Sequence, residues 1–429
     1  MSEPGASSGE ARALVEGLFR REAGRLVARL ARIFGAAQLE LAEDVVQEAL
    51  LKALRHWSIH GAPHDPHAWL VRVAKNLALD RVRRDRRLEH AGAELDAWEE
   101  LENNTAEPRA TEDTPRELDQ PADDELAMIF ACCHPTLSRD ARVALTLKTV
   151  GGFGVAEIAR AFVEHEAAAA QRLVRAKARL RDERVEIATP SGPELLERLE
   201  SVHDVVYFLL NEGLAAHRGD ALIRTDLVRE ALRLAAQLAA NPLTATPRTH
   251  ALAALVHFHA SRCGARTDPA GGPLLLEEQD RSLWDRALIA RGFAHLARAG
   301  AGDELSDLHI EAAIASHHAI AATWEDTDWS AILRWYDLLA ARNASPIVRL
   351  NRAVAVAKLH GASAGLREVL ALESEASLAR YHLLPSIKGE LLRQLGRRSE
   401  AADAFGAALA LCHSGPECAF LERKLAALA

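Results

Sequence analysis

Along most of this chain apolar residues recur at helical spacing, and β-branched runs are few. From Arg12 to Ile33 the stripe is Leu14, Leu18, Leu26 and Leu30. From about Leu41 to Trp57 it is Val45, Val46, Ala49, Leu50 and Leu54. Apolar positions three and four apart share one helix face, so each segment predicts an amphipathic helix. After a loop broken by Pro63 and Pro66, a single long helix runs from His67 to about Arg87, apolar first and arginine-rich at its end. Between Asp124 and Asp182 the pattern predicts four helices, with Gly151, Gly152 and Gly154 breaking the chain before the last two.

A short linker, ATPSGP, ends at Pro193, and helical periodicity then fills the rest of the chain. Near its end Gly389, Leu392, Gly396, Ala401, Phe405 and Ala408 stand at tetratricopeptide-repeat spacings, and the segment RLNRAVAVAKLHGASAGLREVLAL is a looser copy. Stacked helical pairs of this kind present a concave binding face. The expected fold is therefore all-α: two small helical domains followed by a tetratricopeptide-like helical repeat domain. The expected divisions are a disordered N-terminus (1–10), a first helical domain (11–88), a flexible linker (89–123), a helix-turn-helix domain (124–186) and the repeat domain (187–429).

Charge adds a function class. The net charge of −9 hides a segregation: residues 1–88 sum to +4, residues 89–126 to −12, residues 139–185 to +4 and residues 186–429 to −5. Clustered cations let a globally acidic chain bind nucleic acid, because the electrostatic footprint is local. The acidic, polar, Pro-containing linker has too few apolar residues to fold by itself. Five cysteines, an odd number, argue against a disulfide framework and for a reducing cytoplasm. No apolar run is long enough to span a membrane, and the first residues lack the apolar core of a secretory signal.

Two basic helices carry the chemistry. The segment from Val155 to about Asp182 reads as a helix-turn-helix: Ile158, Ala159 and Phe162 at helical spacing, a polar turn Glu164-His165-Glu166, then a helix with Arg172, Arg175, Lys177, Arg179, Arg181 and Arg184. Such a second helix fits the DNA major groove, its early residues at base edges and its later cations on phosphates. Arg pairs bidentately with guanine and Gln with adenine, so Gln171, Arg172 and Arg175 are the candidate readers, with Lys177 and Arg179 behind them. Upstream, Arg81, Arg83, Arg84, Arg86 and Arg87 end the long helix that Trp69 begins, and Trp57 closes the helix before it. Aromatic rings beside cations suit single-stranded DNA, because every base has a face to stack. Arginine runs are also common on merely solvated faces, and a lone tryptophan is more often core.

AEDVVQEALLKAL followed by WLVRVAKNLALDRVRRDRR resembles region 2 of bacterial RNA polymerase sigma factors of the extracytoplasmic-function type, and residues 140–182 resemble their region 4. VVYFLLNEGL, TDW, SPIVRLNRAVA and the repeat-like end resemble the subgroup with a long C-terminal helical extension. The resemblance implies that Asp44 and Gln47 match the DxxQ of region 2.2, which docks on the clamp coiled coil of the β′ subunit, with region 4 on the β flap. Trp69, Asn76, Asp80, Arg81, Arg83 and Arg84 are implied in −10 binding, the loop from Ser58 to His67 in capturing a flipped base, and Gln171, Arg172, Arg175, Lys177 and Arg179 in −35 binding. The linker is implied to thread polymerase channels as a nucleic-acid mimic; a solvated tether explains its charge equally well. One departure stands out: residues 167–170 are four alanines, where the family has hydrogen-bonding residues. Alanine offers a methyl contact and no hydrogen bond, which points to readout by shape there. The implied partners are core RNA polymerase, promoter DNA and a small regulatory protein on the C-terminal domain. The alternative is a helix-turn-helix regulator with a sensing domain that acts without polymerase.

Other patterns carry less. Gly361, Ser363 and Gly365 match the G-x-S-x-G nucleophile elbow, which requires a preceding strand; here the preceding pattern is helical. Cys132, Cys133 and His134 lack a second metal-binding pair and read as buried thiols, and Cys412, His413 and Cys418 are as weak. His257 and His259, and His317 and His318, lack the Glu of a zinc-protease helix. No phosphate-binding glycine loop occurs. No catalysis, metal or cofactor is expected.

Overall fold

The computed structural model describes residues 23–61, 63–89, 121–162, 164–214, 223–269 and 271–428; side chains at 37, 58–60, 67, 82–89, 121–123 and 160–161 lie outside the description. The N-terminal segment 1–10 and nearly all of the acidic linker therefore fall outside the described residues. No strand forms among the described residues, and Thr267 and Pro273 make an isolated bridge. The chain divides into two units, residues 1–202 and 203–429, each with its own core.

The first unit contains α1 (23–34), α2 (Leu39–His60), α3 (Pro66–Glu89), α4 (Pro121–Cys132), α5 (Arg139–Thr149), α6 (Val155–Phe162) and α7 (Glu166–Asp182). α2 packs on α3, and α7 packs on both α5 and α6. The helices bury Val45, Val46, Ala49 and Ala53 from α2, Leu70, Ala74 and Ala78 from α3, and Leu173, Ala176 and Leu180 from α7, whereas Leu54, expected on the core face of α2, is exposed and Leu50 is only partly buried. Helix starts supply their own caps. Ser138 accepts from the Ala141 N–H at the head of α5, and Asp65 accepts from the Ala68 N–H at the head of α3. Each satisfies an N–H that the helix itself cannot. α8 (Gly192–Leu214), which crosses the division between the units, starts inside the ATPSGP segment, with Pro193 in its first turn, where a missing N–H costs nothing.

The second unit continues through α9 (Thr225–Ala240), α10 (Pro247–Ala260), α11 (Arg286–Ala299), α12 (Asp307–Ile320), α13 (Trp329–Arg342), α14 (Pro346–His360), α15 (Ala362–Leu370), α16 (Leu383–Gln394), α17 (Arg398–Leu411) and α18 (Gly415–Ala426). From α12 on, every helix packs on the next. α10 is buried on almost every face, which is why its sequence shows little amphipathic contrast. Helices approach closely where a side chain is missing. A Cβ on Gly389 of α16 would lie 2.9 Å from the ring of Phe405 on α17. Phe405, Leu392, Ala401 and Ala408 share one core cluster. Asp328 caps α13 by accepting from the Ala331 N–H. Gly361, at φ 89°, joins α14 to α15 as the first half of a helix-to-helix turn, so the G-x-S-x-G match lacks its strand. Cys132 and Cys133 are buried and bonded to Thr149 (2.9 Å) and Thr146 (3.7 Å). Burial pushes the Cys132 thiol well above its usual range.

Two outcomes follow from this packing. Gly389→Val should destabilise the second unit by about 2 kcal/mol through overpacking against Phe405, lowering its thermal midpoint by roughly 4–8 °C. Burial also holds several histidines neutral: His203 and His318 are pushed down to about 3 and His295 to about 4 from an ordinary 6.5. Above 6.5 neither folded nor unfolded chain binds these protons; below it only the unfolded chain does. Denaturation of the second unit should therefore be insensitive to pH above about 7 and grow steadily easier as pH falls below 6.5. A flat profile down to pH 4.5 or so would contradict the neutral, buried placement.

Candidate nucleic-acid interface

The polar face of α2 carries Asp44 and Gln47 one turn apart, both exposed, while Ala42, Val45, Val46 and Ala49 face the core. On α3, Asn76 and Asp80 are exposed and Arg81 is half-buried, its Nη1 3.7 Å from Asp44 Oδ2. Trp69 is neither core nor free. It is half-buried, stacked on His56 (centroids 5.6 Å, 16° between planes) and met edge-on by Trp57 at 5.5 Å. The aromatic cluster sits at the start of α3, beside the Pro-rich loop. Arg83 and Arg84 lie on the last turns of α3, and their side chains are outside the described residues.

The helix-turn-helix forms as its spacing requires, with Ile158 and Ala159 of α6 buried against the core. The structure divides the cations of α7. Gln171 and Arg175 are exposed and make no hydrogen bond or ion pair among the described residues. Arg172 is occupied. It pairs with Glu164 at 2.6 Å and Asp140 at 3.0 Å, and lies over the Phe162 ring at 4.6 Å. It therefore pins α7 to the turn and to the head of α5. Arg179 pairs with Glu183 one turn on, an exposed bridge worth little. Of the four alanines, Ala169 is core and Ala167 is exposed, so only part of that run is available to a groove.

Lys177 is the most constrained. Its Nζ lies 2.5 Å from Glu43 Oε2, with the two side chains only 13% and 10% exposed. Glu43 belongs to α2, so this pair ties the helix carrying Asp44 and Gln47 to the one carrying Gln171 and Arg175. Other contacts close the same junction. Arg32 pairs with Asp124 at 2.5 Å, and a Cβ on Gly24 would lie 2.3 Å from the Val150 carbonyl oxygen. Between them is a cavity of about 330 Å³, with Glu43, Gln47, Lys148 and Thr149 in its wall. Sequence reasoning passed over Glu43. The available signal was position: Glu43 stands four residues after Leu39 and three before Val46, on the apolar stripe, where an acid needs a partner.

Comparison with known proteins settles the family. Sigma-70 region 2 matches residues 18–88, Sigma-70 region 4 matches residues 127–180, and a family of unknown function, DUF6596, matches residues 198–300. The ECF RNA polymerase sigma factor SigL of Mycobacterium tuberculosis is 33% identical over 157 residues, which are 36% of this chain and 79% of SigL. The chain belongs to the ECF RNA polymerase sigma factors. It does so with a C-terminal extension: an uncharacterized protein of Rhizobium meliloti is 39% identical over 391 residues, 91% of this chain and 90% of its own. No solved structure matches. As a sigma factor for transcription initiation, the protein has core RNA polymerase and promoter DNA as its partners. No helix among the described residues is long and apolar enough to cross a membrane.

The junction makes a measurable claim. Glu43→Ala leaves a largely buried ammonium unpaired, and should cost the first unit about 3 kcal/mol. Adding Lys177→Ala should return part of that loss, so that a double-mutant cycle shows coupling of about 1 kcal/mol or more. Strict additivity would mean the contact carries no energy.

Proposed function

We propose that this sigma factor reads its promoter at two sites, and that the conformation described here is a closed one that must part before both can be engaged. The observation that carries the reading is the Lys177–Glu43 contact. The −10 and −35 elements lie about 25 base pairs apart, roughly 85 Å of duplex. Helices held in contact cannot reach both. In the open form Asp44 and Gln47 dock on the β′ clamp, region 4 sits on the β flap, and Lys177 is released to a phosphate. Trp69, with Asn76, Asp80, Arg81, Arg83 and Arg84, captures the melted −10 strand. The half-buried, ring-stacked placement of Trp69 supports that role, because one face can extend the stack to a base. Base readout at −35 falls to Gln171 and Arg175, the exposed and unpaired pair on α7, with Arg179 on the backbone and Arg172 holding the helix in place. The acidic linker joins the two halves through the polymerase.

The C-terminal unit acts as a tetratricopeptide-like module that regulates the sigma core in cis and takes a small regulatory protein. The close Gly389–Phe405 approach and the serial packing of α12 to α18 support the repeat reading.

Full-length protein with bacterial core polymerase should give promoter-dependent run-off transcripts; absence of both transcript and core binding would leave the helix-turn-helix regulator as the better reading. Arg175→Ala should relax specificity at one −35 position at a cost of about 1–3 kcal/mol, whereas Arg83→Ala with Arg84→Ala should weaken binding across sequences and flatten the salt dependence by about two phosphate contacts. A chain truncated after residue 190 that transcribes like the full-length protein under every condition would remove the regulatory role.

A further inference from the structure

The second unit holds a group of arginines that promoter recognition does not use. Arg262 and Arg266 follow α10, and Arg281 lies in the turn before α11. Arg262 and Arg281 lay their guanidinium groups over the same indole, Trp284, at 5.1 and 4.7 Å. Arg266 Nη2 is 3.2 Å from His259 Nδ1. The polar partners of all three are neutral. Arg262 donates to the Gln279 amide oxygen (3.3 and 3.2 Å), and Arg281 to the carbonyls of His318 and Ala321 (each 2.7 Å) and to the Thr327 hydroxyl (3.2 Å). No carboxylate comes within ion-pair distance of any of them among the described residues. Arg266 Nε is buried with no hydrogen-bond partner.

This is an unusual arrangement. Buried cations are normally paired, because an unpaired one forfeits its hydration and gains nothing in return. Elsewhere in the second unit even surface cations find carboxylates, as in Arg352–Asp337 and Lys388–Glu373. Here burial pushes Arg262 far below the guanidinium range, and Arg266 and Arg281 push it the same way. Both Arg262 and Arg266 keep partial exposure, so an ion can reach them from solvent.

One side chain, His318, stands beside the cluster and also lines a cavity whose wall holds none of the three arginines. His318, whose Nδ1 is buried without a partner, is kept neutral first by its burial and then by the charges of Arg262 and Arg281. The same ring lines a cavity of about 330 Å³ whose walls include Trp324, Trp329, Tyr336, Phe405 and Phe420, with the ion pairs Lys358–Glu277 and Lys424–Glu390 also in the lining. His318 meets Trp329 edge-on at 5.4 Å, and Trp329 meets Trp324 at 5.0 Å. The volume is in the range of small-molecule sites, roughly 300–1,000 Å³, which pair apolar walls with a few convergent polar groups.

We propose that this is a binding site for a small organic acid, with an oxyanion head, carboxylate or phosphate, on Arg262 and Arg266 beside His318 and an aromatic or branched apolar body in the cavity. The head supplies the countercharge that the protein omits, and guanidinium forks match the geometry of either oxyanion. The enclosure of the arginines suits a small molecule and leaves no room for a duplex. The site stands independently of whether the second unit regulates transcription.

The test uses the full-length protein, with phenylacetate and phenyl phosphate as probes, benzyl alcohol as the neutral counterpart and inorganic phosphate as a head without a body. Binding to the protein should raise the thermal midpoint of the second unit. At least one aromatic acid should do so with saturation, benzyl alcohol should not, and inorganic phosphate should do so more weakly. Response to phenylacetate alone identifies a carboxylate site, and response to phenyl phosphate alone a phosphate site. Arg266→Met should bind the responding probe at least about tenfold more weakly by calorimetry, with a ligand-free midpoint no lower than wild type, because an unpaired buried charge has been removed. Arg262→Gln, which keeps a hydrogen-bonding group toward Gln279, should show the same loss of binding. The proposal is overturned if no acid raises the midpoint at about 10 mM, if benzyl alcohol matches the acids, or if either variant binds as wild type does.

Discussion

The most enclosed contact between α2 and α7 is the ion pair of Lys177 with Glu43. Its energetics explain why that contact can be both specific and reversible. Two charges taken almost entirely from water lose hydration that their attraction only partly repays, so such a pair adds little net stability while making any unpaired alternative costly. The pair therefore defines a geometry more than it strengthens one. It is replaced without penalty only when something else supplies an anion to the lysine and a donor to the glutamate. In the open form proposed above, a DNA phosphate would supply the first. The neighbouring contacts have the same character: Arg32–Asp124 is partly exposed, and Gly24 makes a backbone approach with no side chain to interlock.

That pair also reorders the chemistry of the recognition helix. Five residues of α7 look equivalent as a basic stripe, and tertiary contacts give them different duties. Arg172, gripped by two carboxylates and stacked on Phe162, is part of the frame that orients the helix. Gln171 and Arg175 remain available to bases, and Arg179 is lightly held. In the proposed −35 reading, the alanine-rich helix start leaves the contacts to longer side chains a turn along.

The second unit shows the opposite electrostatic situation. Its outer ion pairs are surface pairs of the ordinary kind, whereas the arginines around Trp284 are enclosed with neutral hydrogen-bond partners among the described residues, Asp326 and Glu325 acting on Arg281 only from beyond ion-pair distance. Stacking on an indole face and hydrogen bonds to carbonyls soften the cost of enclosing a guanidinium without cancelling its charge. Residues 198–300, the span of the family of unknown function, contain Arg262, Arg266, Arg281 and Trp284. Whatever that family has in common, the feature here with the clearest chemical demand is this excess of buried positive charge.

Helical periodicity and the two basic helices were legible in the chain, since each depends on neighbours within a turn or two: Val45, Val46 and Ala49 of α2 are buried where spacing puts them, though Leu54 is exposed, and buried and exposed positions alternate along α7. The exposure of Asp44 and Gln47 was legible for the same reason. Contacts between residues far apart in sequence were not. Nothing in the order of residues says that Glu43 meets Lys177, that Arg172 turns to Glu164 and Asp140, or that Arg262 and Arg281 share one indole. A charge in a sequence has no partner until the chain folds, and its role as reader, brace or waiting cation depends on which groups then surround it. The sequence by itself determined the helices, their apolar faces and the family; only the tertiary structure decided which cations are free, because that depends on distances the local pattern does not encode.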